Sequence, residues 1–258
     1  GDDDDSGDDD DSGDDDDSGD DSPSARIAIG GQWSGPADGV HTVSSSSWSD
    51  PYGATFNLSQ FQNAQQFAIA QNHADNDFNP GLWSRFDWTW DEFNTLWYCQ
   101  TCYDCEDEGE ALATDAADSS ALSSDGCGGF AWSSLTPTAG SDTWELAISG
   151  VWADAWGGTH TIDNATWSDS YGSSFSVSQF HNNSQFLVAQ NDPTNSFNAG
   201  QWSRFDWTWD ESNTLWYCQT CFDCADEAAA VATAAASTAD PATTGCGGFA
   251  WSSVTPSP

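Results

Sequence analysis

Sliding the chain against itself by 119 residues superposes Trp33 on Trp152, His41 on His160, Trp48 on Trp167, Phe56 on Phe175, Arg85 on Arg204, Cys99 on Cys218 and Cys127 on Cys246, and no gap is needed. A period this long in two copies describes tandem domains and not a solenoid. Each copy, at about 110 residues, is long enough to bury one core of its own. The boundaries that follow are 1–24 for a spacer ahead of the repeats, 25–138 for the first copy and 139–258 for the second.

Both copies read alike. GQWSG, GVHTVSSSSW, ATFNLSQF, QFAIAQN, LWSRFDWTW and NTLWYCQTCY are β-rich runs of strand length between turn residues, which predicts about six strands in a meander. After Asp104 the first copy changes to CEDEGEALATDAA, and after Asp223 the second changes to CADEAAAVATAAA. Alanine-rich helix formers behind an aspartate N-cap, with acids in the first turn, predict a short helix. A glycine-rich close, GCGGFAWSS, then returns Cys127 or Cys246 to the sheet. The predicted fold class is mainly β: two tandem copies of a roughly six-stranded antiparallel meander or small barrel-like sheet, each with one short C-terminal helix, behind a disordered acidic tail.

That tail is a run of GDDDDS units from Gly1 to Ser22 holding fourteen aspartates and no apolar residue, too little apolar surface to offset chain entropy. The whole chain has a net charge of −39, no lysine, and only Arg26, Arg85 and Arg204 as strong bases. Such a field excludes nucleic acid and anionic lipid surfaces as partners and leaves cationic or neutral ones. No apolar run approaches the length of a membrane span. The start at Gly1 suggests a removed leader. Eight cysteines without a single lysine or methionine favour an oxidising exterior, so the expected location is extracellular or the cell envelope.

The motif SRFDWTW accounts for much of the aromatic content. Side chains of period two place Phe86, Trp88 and Trp90 on one face as a core wall, with Arg85, Asp87 and Thr89 on the other. The second copy repeats this with Phe205, Trp207 and Trp209 against Arg204 and Asp206. An arginine beside an aspartate in both copies predicts a structural ion pair partly out of water. Gripping an anionic ligand is the alternative.

Each copy also carries C-x2-C-x2-C and a fourth cysteine 22 residues later. Four thiolates suit zinc or an iron–sulfur cluster, but separated C-x2-C knuckles are missing. Cys102 and Cys105, with Cys105 at the expected helix start, suit a redox pair, but no parallel βαβ context accompanies them. Two disulfides per copy is the preferred reading. Cys99–Cys127 and Cys218–Cys246 would tie the last strand to the glycine-rich close, and Cys102–Cys105 and Cys221–Cys224 would form local clasps.

GVWADAWGGTHTIDNATW, FLVAQND, LWSRFDWTW, LWYCQT followed by DE, and GCGGFAW together resemble a small repeat domain of unknown function found in secreted proteins and lipoproteins of myxobacteria and relatives. The resemblance spans both copies. It implies that the cysteines in YCQT and GCGG are the recurrent pair, Cys99 with Cys127 and Cys218 with Cys246. Cys102, Cys105, Cys221 and Cys224 depart from the family pattern. It also implies that the GDDDDSG spacer follows a lipid-modified cysteine, so a lipid anchor upstream of Gly1, on the outer membrane, is expected. The resemblance supplies no reaction.

No catalytic constellation emerges. His41 and His160 repeat, but one histidine per copy without a reactive serine motif makes neither a triad nor a catalytic zinc site. Asp91, Glu92, Asp107 and Glu108 repeat too, in a turn and a first helical turn, where solvation and capping explain them. The DDDDS run lacks the spaced ligands of an ordered calcium loop. Sixteen tryptophans invite a saccharide-binding reading, with Trp83, Trp202, Trp132 and Trp251 expected to be the exposed ones. The expectation is a non-enzymatic recognition or surface-display module without cofactor or metal, its ligand a surface glycan or protein. The candidate ligand-facing residues are His41, Trp83, Arg85, Trp132, His160, Trp202, Arg204 and Trp251. A carbohydrate-binding protein, and a thiol–disulfide or metal-binding protein using the CxxCxxC segments, are the alternatives.

Overall fold

The computed structural model describes residues 25–35, 39–138 and 146–257. The acidic spacer expected over 1–24 and the junction between the copies lie outside the described residues. The first copy contributes β1 (Gly31–Ser34), β2 (Val40–Val43), β3 (Ser47–Ser49), β4 (Thr55–Gln62), β5 (Phe67–Asn72), β6 (Trp83–Trp90), β7 (Leu96–Cys105), α1 (Glu108–Ala113) and β8 (Ser133–Pro137). The second repeats the order as β9 (Gly150–Asp154), β10 (Thr159–Ile162), β11 (Thr166–Asp169), β12 (Ser174–His181), β13 (Phe186–Asn191), β14 (Trp202–Trp209), β15 (Leu215–Cys224), α2 (Glu227–Ala232) and β16 (Ser252–Pro256). Each set closes into an antiparallel barrel in which every strand pairs with its sequence neighbours and the last pairs with the first.

The strand count is therefore eight per copy where six were expected. GVHTVSSSSW, read as one run, turns at its serines: Ser44 Oγ accepts the Ser47 amide at 3.0 Å and splits the run into β2 and β3. The eighth strand is the SSLTP that follows the glycine-rich close, a polar run whose one fully buried side chain is Leu135.

A barrel this small is filled by side chains. Trp33, Trp48, Phe86, Trp88, Trp90, Leu96 and Leu135 fill the first; Trp152, Trp167, Phe205, Trp207, Trp209, Leu215 and Val254 fill the second. Trp48 stacks on Phe86 with centroids 4.7 Å apart, and Trp167 on Phe205 at 4.5 Å. Short strands leave few inward positions, so each must carry a large side chain; truncating one of these tryptophans to alanine would cost about 3–5 kcal/mol.

The segments ahead of β1 and β9 plug their own barrels. Ile27 and Ile29 join the first core, and Leu146 and Ile148 the second. The residue between each pair leans the other way: Ala28 packs in the second core and Ala147 touches the first. Asn63 holds its plug by accepting the Ala28 amide at 2.8 Å and donating to Arg26 O at 2.7 Å, and Asn182 accepts the Ala147 amide at 2.9 Å.

The barrels meet through reciprocal contacts. Asn94 donates to Phe180 O and accepts the Asn182 amide, both at 2.8 Å. Asn213, its counterpart, donates to Phe61 O at 2.8 Å and accepts the Asn63 amide at 2.7 Å. Every partner is shifted by the repeat offset, so the contact has pseudo-two-fold symmetry.

Outside the first barrel, a second small cluster sits between α1 and β5–β7. Ala111 packs on Phe67, Ile69, Cys102 and Cys105. The N-cap is Asp107, whose Oδ1 accepts the Glu110 amide at 2.8 Å, and in the second copy Asp226 does the same for Ala229. The expected cap at Asp104 was too early, because β7 runs on to Cys105 before the chain turns.

Candidate functional site

The predicted arginine–aspartate pair lies under this helix. Arg85 donates through Nε and Nη2 to Asp87 at 3.0 and 2.9 Å, its guanidinium stacks 4.4 Å over Phe67, and both partners are buried. Nη1 reaches Leu112 O in the last turn of α1, the electronegative end of the helix. A register shift in the β6–β7 pairing sets Arg85 opposite Cys102 and Phe86 opposite Gln100, and Thr101 donates to Asp87 at 2.8 Å. Arg204 repeats the arrangement with Asp206, Val231 O, Phe186 and Thr220. These arginines anchor the helix to the sheet and are closed to a ligand.

Of the other expected ligand-facing residues, Trp132, Trp251, His41 and His160 are buried and Trp83 and Trp202 half-buried. Trp132 and Trp251 are buried, each donating its indole N–H at 3.1 Å to a loop carbonyl, Asp118 O or Ser237 O; the glycine-rich close wraps back over them. Trp83 and Trp202 are half-buried, and Trp83 packs on the small cluster outside the barrel. His41 and His160 point into the barrels, where Nδ1 accepts the Trp48 or Trp167 indole N–H at 3.2 and 3.3 Å. Burial holds the His41 pKa below its ordinary value, opposed by the charge of Asp50. Their strand positions gave inward-facing registers, and tryptophan count alone could not tell core from platform.

All eight cysteines are joined: Cys99–Cys127 and Cys218–Cys246, with Cα atoms 5.6 Å apart in each, and Cys102–Cys105 and Cys221–Cys224, at 6.0 Å. Thiolate ligation of a metal is excluded for cysteines in this state. Cys102 and Cys105 both belong to β7, ahead of the helix, and not to its first turn as the helix-start reading supposed.

The accessible feature is a cleft at one end of each barrel, assembled from two connections and a bulged stretch of strand. In the first barrel, the turn Asp50–Pro51–Tyr52–Gly53 is fixed by Asp50 Oδ1, which accepts the Tyr52 and Ala54 amides at 2.9 Å, with Gly53 in the left-handed region at φ 94°. That turn projects Tyr52 outward. The β5–β6 connection carries Phe78 and is clamped by Asn76, which accepts the Thr55 amide and donates to Thr55 O, both at 2.9 Å. Tyr103 comes from the stretch of β7 where Trp83 pairs with Cys105 and Arg85 with Cys102, so an additional residue is pushed out of the ladder.

Beneath the rings lies an amide floor. Buried Asn72 donates to Asn79 O at 2.9 Å and Tyr103 O at 3.1 Å and accepts the Ser84 hydroxyl at 2.6 Å; Ser84 in turn accepts from Gln100. Most donors are thus spent in holding these three segments together, which makes the cleft pre-formed. Gln100 Oε1 and Asn79 Oδ1 accept nothing from the described residues. The cavity measures about 480 Å³, with Asp50, Asp75 and Asp77 on its walls.

The second barrel builds the same cleft, of about 330 Å³, from Tyr171, Phe197 and Phe222 over Asn191, Asn195, Asn198 and Gln219. Its clamps repeat: Asn195 on Ser174, Asn191 on Asn198 O and Phe222 O, and Ser203 between Asn191 and Gln219. All six rings are more than half exposed. None of them was singled out from the sequence. The available signal was an aromatic residue inside the turn segments DPYGA and DNDFNPG, where apolar side chains have no strand to serve, retained in both copies.

One difference stands out. Asp154 of the second copy occupies the position of Gly35 in the first. Its carboxylate accepts the Tyr171 hydroxyl at 3.0 Å and the Trp156 and Gly158 amides at 2.8 Å, and it lies 3.4 Å from His160 Nε2. Burial would raise its pKa, but these hydrogen bonds and the nearby histidine outweigh that and hold it below the usual range. Tyr171 is pushed up in turn, by burial and by Asp154.

Comparison with family models, characterised proteins and solved structures finds no match for the chain. Among the described residues no helix is long and apolar enough to cross a membrane, and no group of three or more His, Cys, Asp or Glu is placed to hold a metal ion.

Proposed function

We propose that the chain is a non-enzymatic recognition protein of the cell exterior that binds saccharide through its twin clefts. The observation that carries this reading is the repeated trio of exposed rings over an amide floor, Tyr52, Phe78 and Tyr103 in one barrel and Tyr171, Phe197 and Phe222 in the other. A sugar ring offers an apolar C–H face to an aromatic plane and a rim of hydroxyls to amide groups. Rings left in water on rigid supports provide such a plane with little ordering cost. The net charge disfavours polyanionic glycans. Four disulfides suit an oxidising exterior, and the likeness to secreted and lipid-anchored repeat domains, with the acidic stretch as a tether, agrees with display at a cell surface.

The test is a glycan array probed with the full chain, followed by titration of any hit against Phe78→Ala and Phe197→Ala. Each variant should weaken its own cleft about tenfold, the scale of one lost ring contact. Both side chains are exposed, so the fold should survive. An empty array, or hits indifferent to both variants, would overturn the saccharide reading.

A further inference from the structure

The two clefts share a frame but not a lining. At the positions of Asp75 and Asp77, which line the first cleft, the second copy has Thr194 and Ser196, and of these two Ser196 lines its cleft. Asp50 lines the first cleft, whereas its counterpart Asp169 is not among the residues lining the second. The Asp77 carboxylate accepts no hydrogen bond from the described residues, and Asp75 meets only His73, whose Nδ1 lies 3.6 Å from Oδ2. Neither is needed to hold its loop, a task that falls to Asn76. In the second cleft Thr194 instead turns inward on its own loop, donating from Oγ1 to Asp192 at 2.6 Å.

The clefts differ in width as well. With Gly35 in the place of Asp154, Tyr52 has no hydroxyl partner among the described residues and stands 81 % exposed, against 62 % for the tethered Tyr171. The first cleft is accordingly the larger, at about 480 against 330 Å³.

We infer that the clefts have diverged in specificity: the first takes a saccharide bearing a protonated amine, and the second a smaller, uncharged one. This rests on the saccharide reading above. Three aromatic faces beside three carboxylates attract an ammonium group by both ring quadrupole and charge. Ser196 offers its hydroxyl to a neutral ligand, and no carboxylate lines this cleft to attract a cation. A chain built this way links two chemically distinct residues of one polymer, or of two.

The probes are glucosamine oligomers and their fully N-acetylated counterparts, titrated into the full chain at mildly acidic pH and low salt, where the free amines are protonated and carboxylates ionised. The expected result is binding of the amine form at least about tenfold tighter than the acetylated form at one site, with a preference that fades as salt is added. Asp75→Thr combined with Asp77→Ser, which copies the second cleft into the first at two exposed positions, should abolish that preference and leave binding at the other site unchanged. If both oligomers bind equally and the double variant is silent, the divergence is overturned while saccharide recognition stands. If neither oligomer, nor any other glycan, binds at either site, the saccharide reading falls and this inference with it.

Discussion

Asn94 and Asn213 each reach out of a hairpin of their own barrel and grip the other one, and they do so with the same four atoms. Both sit in the left-handed region, at φ 62° and 60°, a conformation that asparagine tolerates better than most residues. In each hairpin an aspartate, Asp91 or Asp210, accepts two amides of the turn and leaves the asparagine side chain free to cross.

Separated fragments, 25–138 and 142–258, are expected to fold under oxidising conditions and to associate one to one when mixed. Sedimentation velocity would show the complex. Asn94→Ala together with Asn213→Ala should weaken it by about 1–3 kcal/mol per side chain, the cost of leaving buried amides and carbonyls unpaired. Fragments that never associate would show that the linker alone holds the barrels together.

Arg204→Met should destabilise the second barrel by about 3–5 kcal/mol, because Asp206 is left charged and buried. Replacing both members of the pair, Arg204→Met with Asp206→Leu, should recover a good part of that loss. Chemical denaturation of the full chain reads both; a single variant as stable as the parent would mean that Asp206 finds another partner.

His41 gives a pH dependence of definite sign. Its folded-state pKa lies below the unfolded value because the ring is buried, so the unfolded chain binds the proton more readily. The stabilisation from a neutral His41 is complete above about pH 6.5 and is lost as pH falls toward the lower folded value. His41→Gln keeps an acceptor for the Trp48 indole and should flatten the stability profile just below neutrality. An unchanged profile would assign the acid sensitivity to carboxylates alone.

Asp154→Asn should lower the Tyr171 pKa toward the ordinary phenol value by removing the charge that opposes its ionisation. Tyrosine ring carbons followed by NMR through the alkaline range report this without any ligand. A simple loss of packing would leave the titration where it is, so an unmoved Tyr171 would deny Asp154 its positioning role.

How much of this was legible in the sequence depends on the period of the signal. Phe86, Trp88 and Trp90 opposite Arg85 and Asp87 follow from alternation within one strand, and the structure keeps that division. The strands β3 and β8 were harder, because each is short and polar and holds a single large buried side chain, Trp48 or Leu135. The clefts were hidden for a different reason. Tyr52, Phe78 and Tyr103 come from two connections and a bulged strand far apart in the chain, brought together by Asn72 and Asn76, and side-chain amides that bridge such segments leave no periodic trace.

Closure of both sheets has a consequence for how this protein meets anything else. With β1 bonded to β8 and β9 to β16, neither sheet ends in a free edge strand among the described residues. A peptide that recognises its target by adding a strand to a sheet edge finds no edge strand here to extend, and the same holds for two molecules crowded together. Contact is left to side chains at the barrel ends, so the turns can change their guest from copy to copy while the walls behind them stay the same.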